Sequence, residues 1–312
     1  MIGIWDAFWR GIVAAWRFRS LVLFMYAVNL VTAYLVIAPI WFKFSTMIDH
    51  TVAAEIILKT FDAGILGTIY SEIRSNFNIF RLLFTFGLFY LLLNTFFAGG
   101  ILHTIIRTGV FSIKQFFIGC ADYLSRFIKL LIISGLFFLT AIIVLSFVST
   151  IFLLITRDTL TEFWPFVLFA VRVLLFVLML SLINMIFDYA KIMTVSNEHY
   201  QMIRIVREAI LFIMMSMRKT ITLYGLYFLI AVILFYGYLF FNTWLEITGP
   251  GTILVYFILS QTFIFLKIFI RLCFFTGQYT FYLYSNTAMP GMTREMLDQM
   301  VADYETRIAT GG

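Results

Sequence analysis

Six apolar stretches, Leu21–Ile40, Leu82–Ile101, Leu130–Ile155, Phe163–Phe187, Ile221–Trp244 and Ile253–Phe275, divide the chain, and its charged residues gather between them. Each has about the 20 residues that an α-helix needs to cross roughly 30 Å of hydrocarbon. A buried helix of a water-soluble core does not need that length six times over. The pattern predicts an all-α, polytopic membrane domain over residues 1–286, with spans at about 20–40, 82–104, 129–155, 163–188, 220–244 and 252–275. A polar tail at 287–312 follows, in which Thr293–Arg307 has helical periodicity, with Met296, Met300 and Tyr304 on one face.

The segments between spans have a pattern of their own. Residues 3–18 mix Trp and Phe with Arg10 and Arg17, which suits a helix in the membrane interface; the alternative is the wet end of a long first span. Phe111–Lys129 and Glu198–Lys219 are amphipathic in the same way, and each precedes an odd-numbered span. The ends of the even spans align weakly, with Asn94–Gly100 laid over Asn184–Ala190 and Arg271–Gly277, while Arg17, Arg126 and Arg218 take equivalent places before the odd spans. Three tandem units of one amphipathic helix and two spans are expected, since two spans return the chain to its starting side. The first unit is the longest, and its excess belongs to the outer connection Lys43–Asn78, which has the makings of a short amphipathic helix or cap.

Composition agrees with the pattern. The chain is 62% hydrophobic and 12% charged, against about 25% charged for a soluble domain. Its net charge of +6 comes from Lys and Arg flanking spans, where anionic headgroups explain them, so no nucleic-acid partner is expected. Sixteen cations lie on the side of the chain termini, among them Arg10, Arg17, Arg19, Lys114, Arg204, Arg207, Arg218 and Lys219; five, Lys43, Lys59, Arg74, Arg81 and Arg157, lie on the other. This bias predicts that both termini face the cytoplasm. Pro39, Pro165 and Pro250 sit at predicted outer ends of spans, where a missing amide hydrogen costs little.

Candidate chemistry is sparse. Cys120 and Cys273 cannot make a disulfide framework, and His50, His103 and His199 lack the spacing of a metal site. Phosphate-loop, dinucleotide and zinc-hydrolase motifs are missing, so no cofactor and no enzymatic role are expected. Polar groups within hydrocarbon need partners, which makes Asn29, Asn94, Arg172, Asn184, Asp188, Lys191, Gln261, Lys267 and Arg271 the candidate ligand or lipid-binding residues. Arg172 needs a structural partner, a watery cavity or an anion. Asp188 and Lys191, spaced i,i+3, can form a salt bridge, and Lys267 and Arg271, spaced i,i+4, share a face. Gly99-Gly100 allows a close helix approach.

At Phe97-Ala-Gly-Gly-Ile-Leu, Phe111-Ser-Ile-Lys-Gln-Phe-Phe and Phe187-Asp-Tyr-Ala-Lys, the chain resembles uncharacterised bacterial multi-span proteins and the membrane domain attached to some glycerophosphodiester phosphodiesterases. That resemblance implies a helical membrane module of the bacterial inner membrane. It carries no phosphodiesterase chemistry, because the soluble catalytic domain of those enzymes has no counterpart in this sequence. The expected role is binding or transport of a lipid or amphipathic solute, with membrane phospholipids as partners. The alternative is a scaffold or accessory subunit, partnered by another membrane protein or by a second copy.

Overall fold

A computed structural model describes residues 3–48, 79–155, 163–197, 201–245, 249–285, 299 and 301–306. The described residues are all α-helical or turn: α1 (Ile4–Arg17), α2 (Arg19–Ile48), α3 (Ile79–His103), a π-helical turn (Thr104–Thr108), α4 (Ile113–Ile155), α5 (Phe163–Asn197), α6 (Met202–Met215), α7 (Met217–Trp244) and α8 (Pro250–Tyr284). Six of these helices are long and apolar enough to cross a membrane. The protein is an all-α, multi-pass membrane protein.

Local sequence sets the boundaries. α1 stops at Phe18 and α2 starts at once, so the amphipathic start is a separate helix and not the wet end of the first span. α6 stops in the same way at Ser216, one residue before α7. Between α3 and α4 the chain widens into the π turn and reverses at Gly109, whose φ of 69° suits glycine alone. Pro250 opens α8 at its first turn, while Gly249 and Thr252 exchange hydrogen bonds across the cap.

Three boundaries depart from the sequence reading. Phe111–Lys129 is not a separate surface helix, because from Ile113 it continues unbroken into a 43-residue α4. Pro39 follows directly on the apolar span Arg19–Ala38, as expected, yet it does not end the helix, which runs on to Ile48. Arg17 and Arg218 are not equivalent either: Arg17 closes α1 before its break, whereas Arg218 follows the break at Ser216. The helix expected in the outer connection falls at residues 49–78, outside the described residues, apart from the part of 43–78 that extends α2.

The chain divides into two compact units, Val22–Asn94 and the larger Met1–Leu21 with Thr95–Gly312. In the first, α2 and the start of α3 expose Leu30, Val31, Tyr34, Leu35, Phe84 and Leu88. In the second, burial concentrates at one end. Leu272 to Leu283 of α8, Ile183 to Ser196 of α5, Phe97 to Ile106 of α3, and much of α1 and α6 supply this core. At 1.5 Å per residue, the 35-residue α5 and α8 are roughly 52 Å long, well beyond the ~30 Å of hydrocarbon.

Small residues make the core possible. α1 packs its face of Ala7, Phe8, Gly11, Ala14 and Ala15 on the end of α8. A Cβ on Gly11 would lie 2.6 Å from the Gly277 Cα, so the two backbones cross almost in contact. α3 meets the start of α4 in the same manner, with a Cβ on Gly100 falling 2.6 Å from the Cys120 Sγ and 2.7 Å from the Phe116 carbonyl oxygen. In the third case α6 packs on α5, where Ala190 and Ala209 are fully buried and the Tyr189 and Phe212 rings lie 5.1 Å apart. Gly100 and Gly277 thus both lie where one helix approaches another too closely for a Cβ.

Candidate functional site

Hydroxyl groups bind the α1–α8 crossing where side chains are too small to do so. The Tyr227 hydroxyl donates to the Phe8 carbonyl at 3.2 Å, and the Tyr227 and Phe8 rings are 4.9 Å apart. Thr276 Oγ1 lies 2.7 Å from the Gly11 carbonyl oxygen, closer than the 3.0 Å to the carbonyls of Leu272 and Cys273 in its own helix. The C-terminal segment joins here. Residues 301–306 are helical, and Tyr304 is buried with its hydroxyl 3.2 Å from Thr280 Oγ1 and its ring edge-on to Tyr279. Burial raises the Tyr304 pKa, opposed by the Thr280 hydrogen bond and by the charges of Arg17 and Arg10. On the exposed side, Arg10 donates to Tyr284 at 3.1 Å, Tyr284 donates to Glu305 at 2.5 Å, and Arg10 and Glu305 stand 3.5 Å apart.

Asp188 and Lys191 form the salt bridge that their spacing allows, at 3.3 Å. Tyr224 of α7 completes the group by donating to the other Asp188 oxygen at 3.2 Å. Tyr224 lies 36 residues away and in the sequence looks like an ordinary interfacial tyrosine. This carboxylate is occupied on both sides by protein donors.

The other predicted residues are placed differently. Arg172 and Asn184 are exposed on α5, and Arg172 forms no ion pair among the described residues. Every residue from Phe169 to Leu178 is exposed, so Arg172 sits in roughly three turns of apolar helix with no buried face. Gln261 is half-buried on α8, while Lys267 and Arg271 are exposed and Arg271 stands 5.9 Å over the Phe275 ring. Asn29 and Asn94 belong to the smaller unit. Both are half-buried, and Asn94 donates to the Tyr90 carbonyl at 3.0 Å, one turn back in α3.

Three polar features escaped the sequence reading. Tyr238, 3.3 Å from Ser260 and stacked on Phe263, joins Tyr256 and Asn242 in a hydrogen-bonded group between α7 and α8. Arg107, carried by the π turn, donates to the Val195 carbonyl at 2.8 and 3.1 Å and to the Ser196 carbonyl at 3.2 Å, closing the end of α5. Gln278 is 1% exposed, and neither of its amide atoms has a hydrogen-bond partner among the described residues. In the sequence each looks like an ordinary polar residue near a span end. Neither a protein-family profile, nor a curated protein, nor a solved structure matches this chain.

Proposed function

We propose that the protein binds or moves a lipid or amphipathic solute in the bacterial inner membrane, with its termini in the cytoplasm. One observation supports this above the others: the apolar stretch Phe169–Leu178 of α5 is exposed on every side and carries Arg172, which has no ion pair among the described residues. In a bilayer, acyl chains must surround such a stretch, and a cation within it favours an anionic head or a polar solute over plain hydrocarbon. The hydrogen-bonded group of Tyr238, Asn242, Tyr256 and Ser260 adds neutral donors and acceptors to the spans.

Transfer of fluorescent phosphatidylglycerol between leaflets of reconstituted vesicles tests the reading. Wild-type protein accelerates transfer over protein-free vesicles, and Arg172→Gln lowers the rate at least fivefold while helicity is kept. Equal rates with and without protein, together with no lipid retained through purification, would overturn it. A scaffold is the second reading, favoured by the exposed Ile203, Met214, Met215 and Met217 along and just after α6, a flexible apolar surface of the kind that partners use. Reproducible co-purification of one membrane protein, lost on Met214→Glu, supports that reading.

A further inference from the structure

α1 has a second face. Trp5, Trp9 and Trp16 are 62%, 59% and 66% exposed, and Val13 lies between them in the same stripe. The i, i+4, i+8, i+11 spacing puts all four on one side of the helix, away from the small residues that pack on α8. The stripe ends where α1 breaks: Trp16 meets Phe269 of α8 edge-on at 5.8 Å, and Arg17 and Arg19 flank the break at Phe18. Both arginines are exposed and neither forms an ion pair among the described residues, although the charge of Arg17 reaches Tyr304; Arg10 is engaged by Tyr284 and Glu305.

Depth and charge identify the occupant. Arg19 begins the first apolar span, so the break lies at the edge of hydrocarbon. Tryptophan concentrates in that layer, and the anions abundant there are lipid phosphates. α6 shows that the arrangement is not a general property of such helices. Its break is also followed by exposed cations, Arg218 and Lys219, but its outward face of Ile203, Arg207, Leu211 and Met214 has no tryptophan to stand beside them.

We propose that Trp16, Arg17 and Arg19 form a headgroup site for anionic phospholipid, with Trp5 and Trp9 seating α1 in the interface beside it. The site is separate from Arg172 and does not depend on transport. Each guanidinium contributes about a fivefold preference for an anionic over a zwitterionic headgroup.

The test uses the full chain in lipid nanodiscs with Trp16 as the sole tryptophan, Trp5, Trp9, Trp41, Trp164 and Trp244 being replaced by Phe. Brominated phosphatidylglycerol quenches Trp16 at least fivefold more effectively than brominated phosphatidylcholine, and Arg17→Gln with Arg19→Gln brings the two within twofold. Arg172→Gln leaves the preference unchanged. Equal quenching by both lipids, or a preference that survives the double substitution, overturns the proposal. Should the substituted proteins fail to fold, spin-labelled lipids on the unmodified protein decide. Association of phosphatidylglycerol relative to phosphatidylcholine falls severalfold between about 0.05 and 0.5 M salt if arginines hold the headgroup, and a salt-independent ratio counts against them.

Discussion

The two ends of α8 are built from one continuous apolar helix and behave in opposite ways. From Leu272 to Leu283 every residue except the half-buried Phe274 is buried; from Pro250 to Ile258 every residue except the half-buried Thr252 and Tyr256 is exposed. Hydrophobicity does not separate them, since the exposed end is rich in Ile, Leu, Val and Phe. Glycines and hydroxyls do. The buried end has Gly277, which lets α1 approach to backbone contact, Thr276, whose hydroxyl donates to the Gly11 carbonyl, and Thr280, whose hydroxyl meets Tyr304. Where lipid is as apolar as leucine, close packing and hydrogen bonds drive helices together. Bulky side chains at the exposed end gain little by exchanging lipid for a neighbouring helix.

The sharpest way to break this contrast is to fill the crossing. Gly277→Leu drives a side chain into the Tyr227 ring, whose hydroxyl holds the Phe8 carbonyl of α1. It is expected to cost about 3 kcal/mol or more, the upper range for overpacking, seen as a lower unfolding temperature in detergent and as tryptic cleavage within α1. Next is Tyr304→Ala, which strips a buried ring from Tyr279 and Thr280. A loss of about 2–3 kcal/mol in docking of the C-terminal segment follows, measured by limited proteolysis after Ser285.

The same docking is pH-dependent. The Tyr304 pKa is raised in the folded protein, so its contribution is complete below the ordinary tyrosine range near pH 10 and is lost as pH rises through the higher folded value. Tyr304→Phe should abolish that alkaline release. Smaller again is Thr276→Val, which removes the hydroxyl facing the Gly11 carbonyl at about 1 kcal/mol. Leu254→Ala at the exposed end should change stability by less than about 0.5 kcal/mol, despite deleting more apolar volume than the threonine substitution. A cost above that of Thr276→Val would reverse the comparison.

Apolar run length made the six spans legible, and Gly99-Gly100 was readable as a close helix approach, which α4 makes. Breaks between helices were harder. Both the α1–α2 and the α6–α7 breaks lack proline and glycine, so backbone packing and not a local breaker ends those helices. α4 has an equally amphipathic start and no break at all. Among candidate site residues, the Asp188–Lys191 pair was readable because helical spacing alone brings it together. Tyr224 and Thr276 were not, since their partners come from other helices and a hydroxyl in a span has no sequence pattern. Arg172 was recognised as exceptional, but its surroundings depend on what α5 fails to touch.

The seat of α1 on α8 also has a bearing on synthesis. Gly11 and Thr276 are 265 residues apart in the chain, so at about 5–20 residues per second a ribosome takes roughly 13–53 s to supply the second after the first. Until Tyr227 of α7 is made the nascent α1 lacks its partner for Phe8, and until α8 is made it lacks the backbone that Gly11 packs on. The headgroup seat proposed for its tryptophans would hold it in the interface until the last span is inserted.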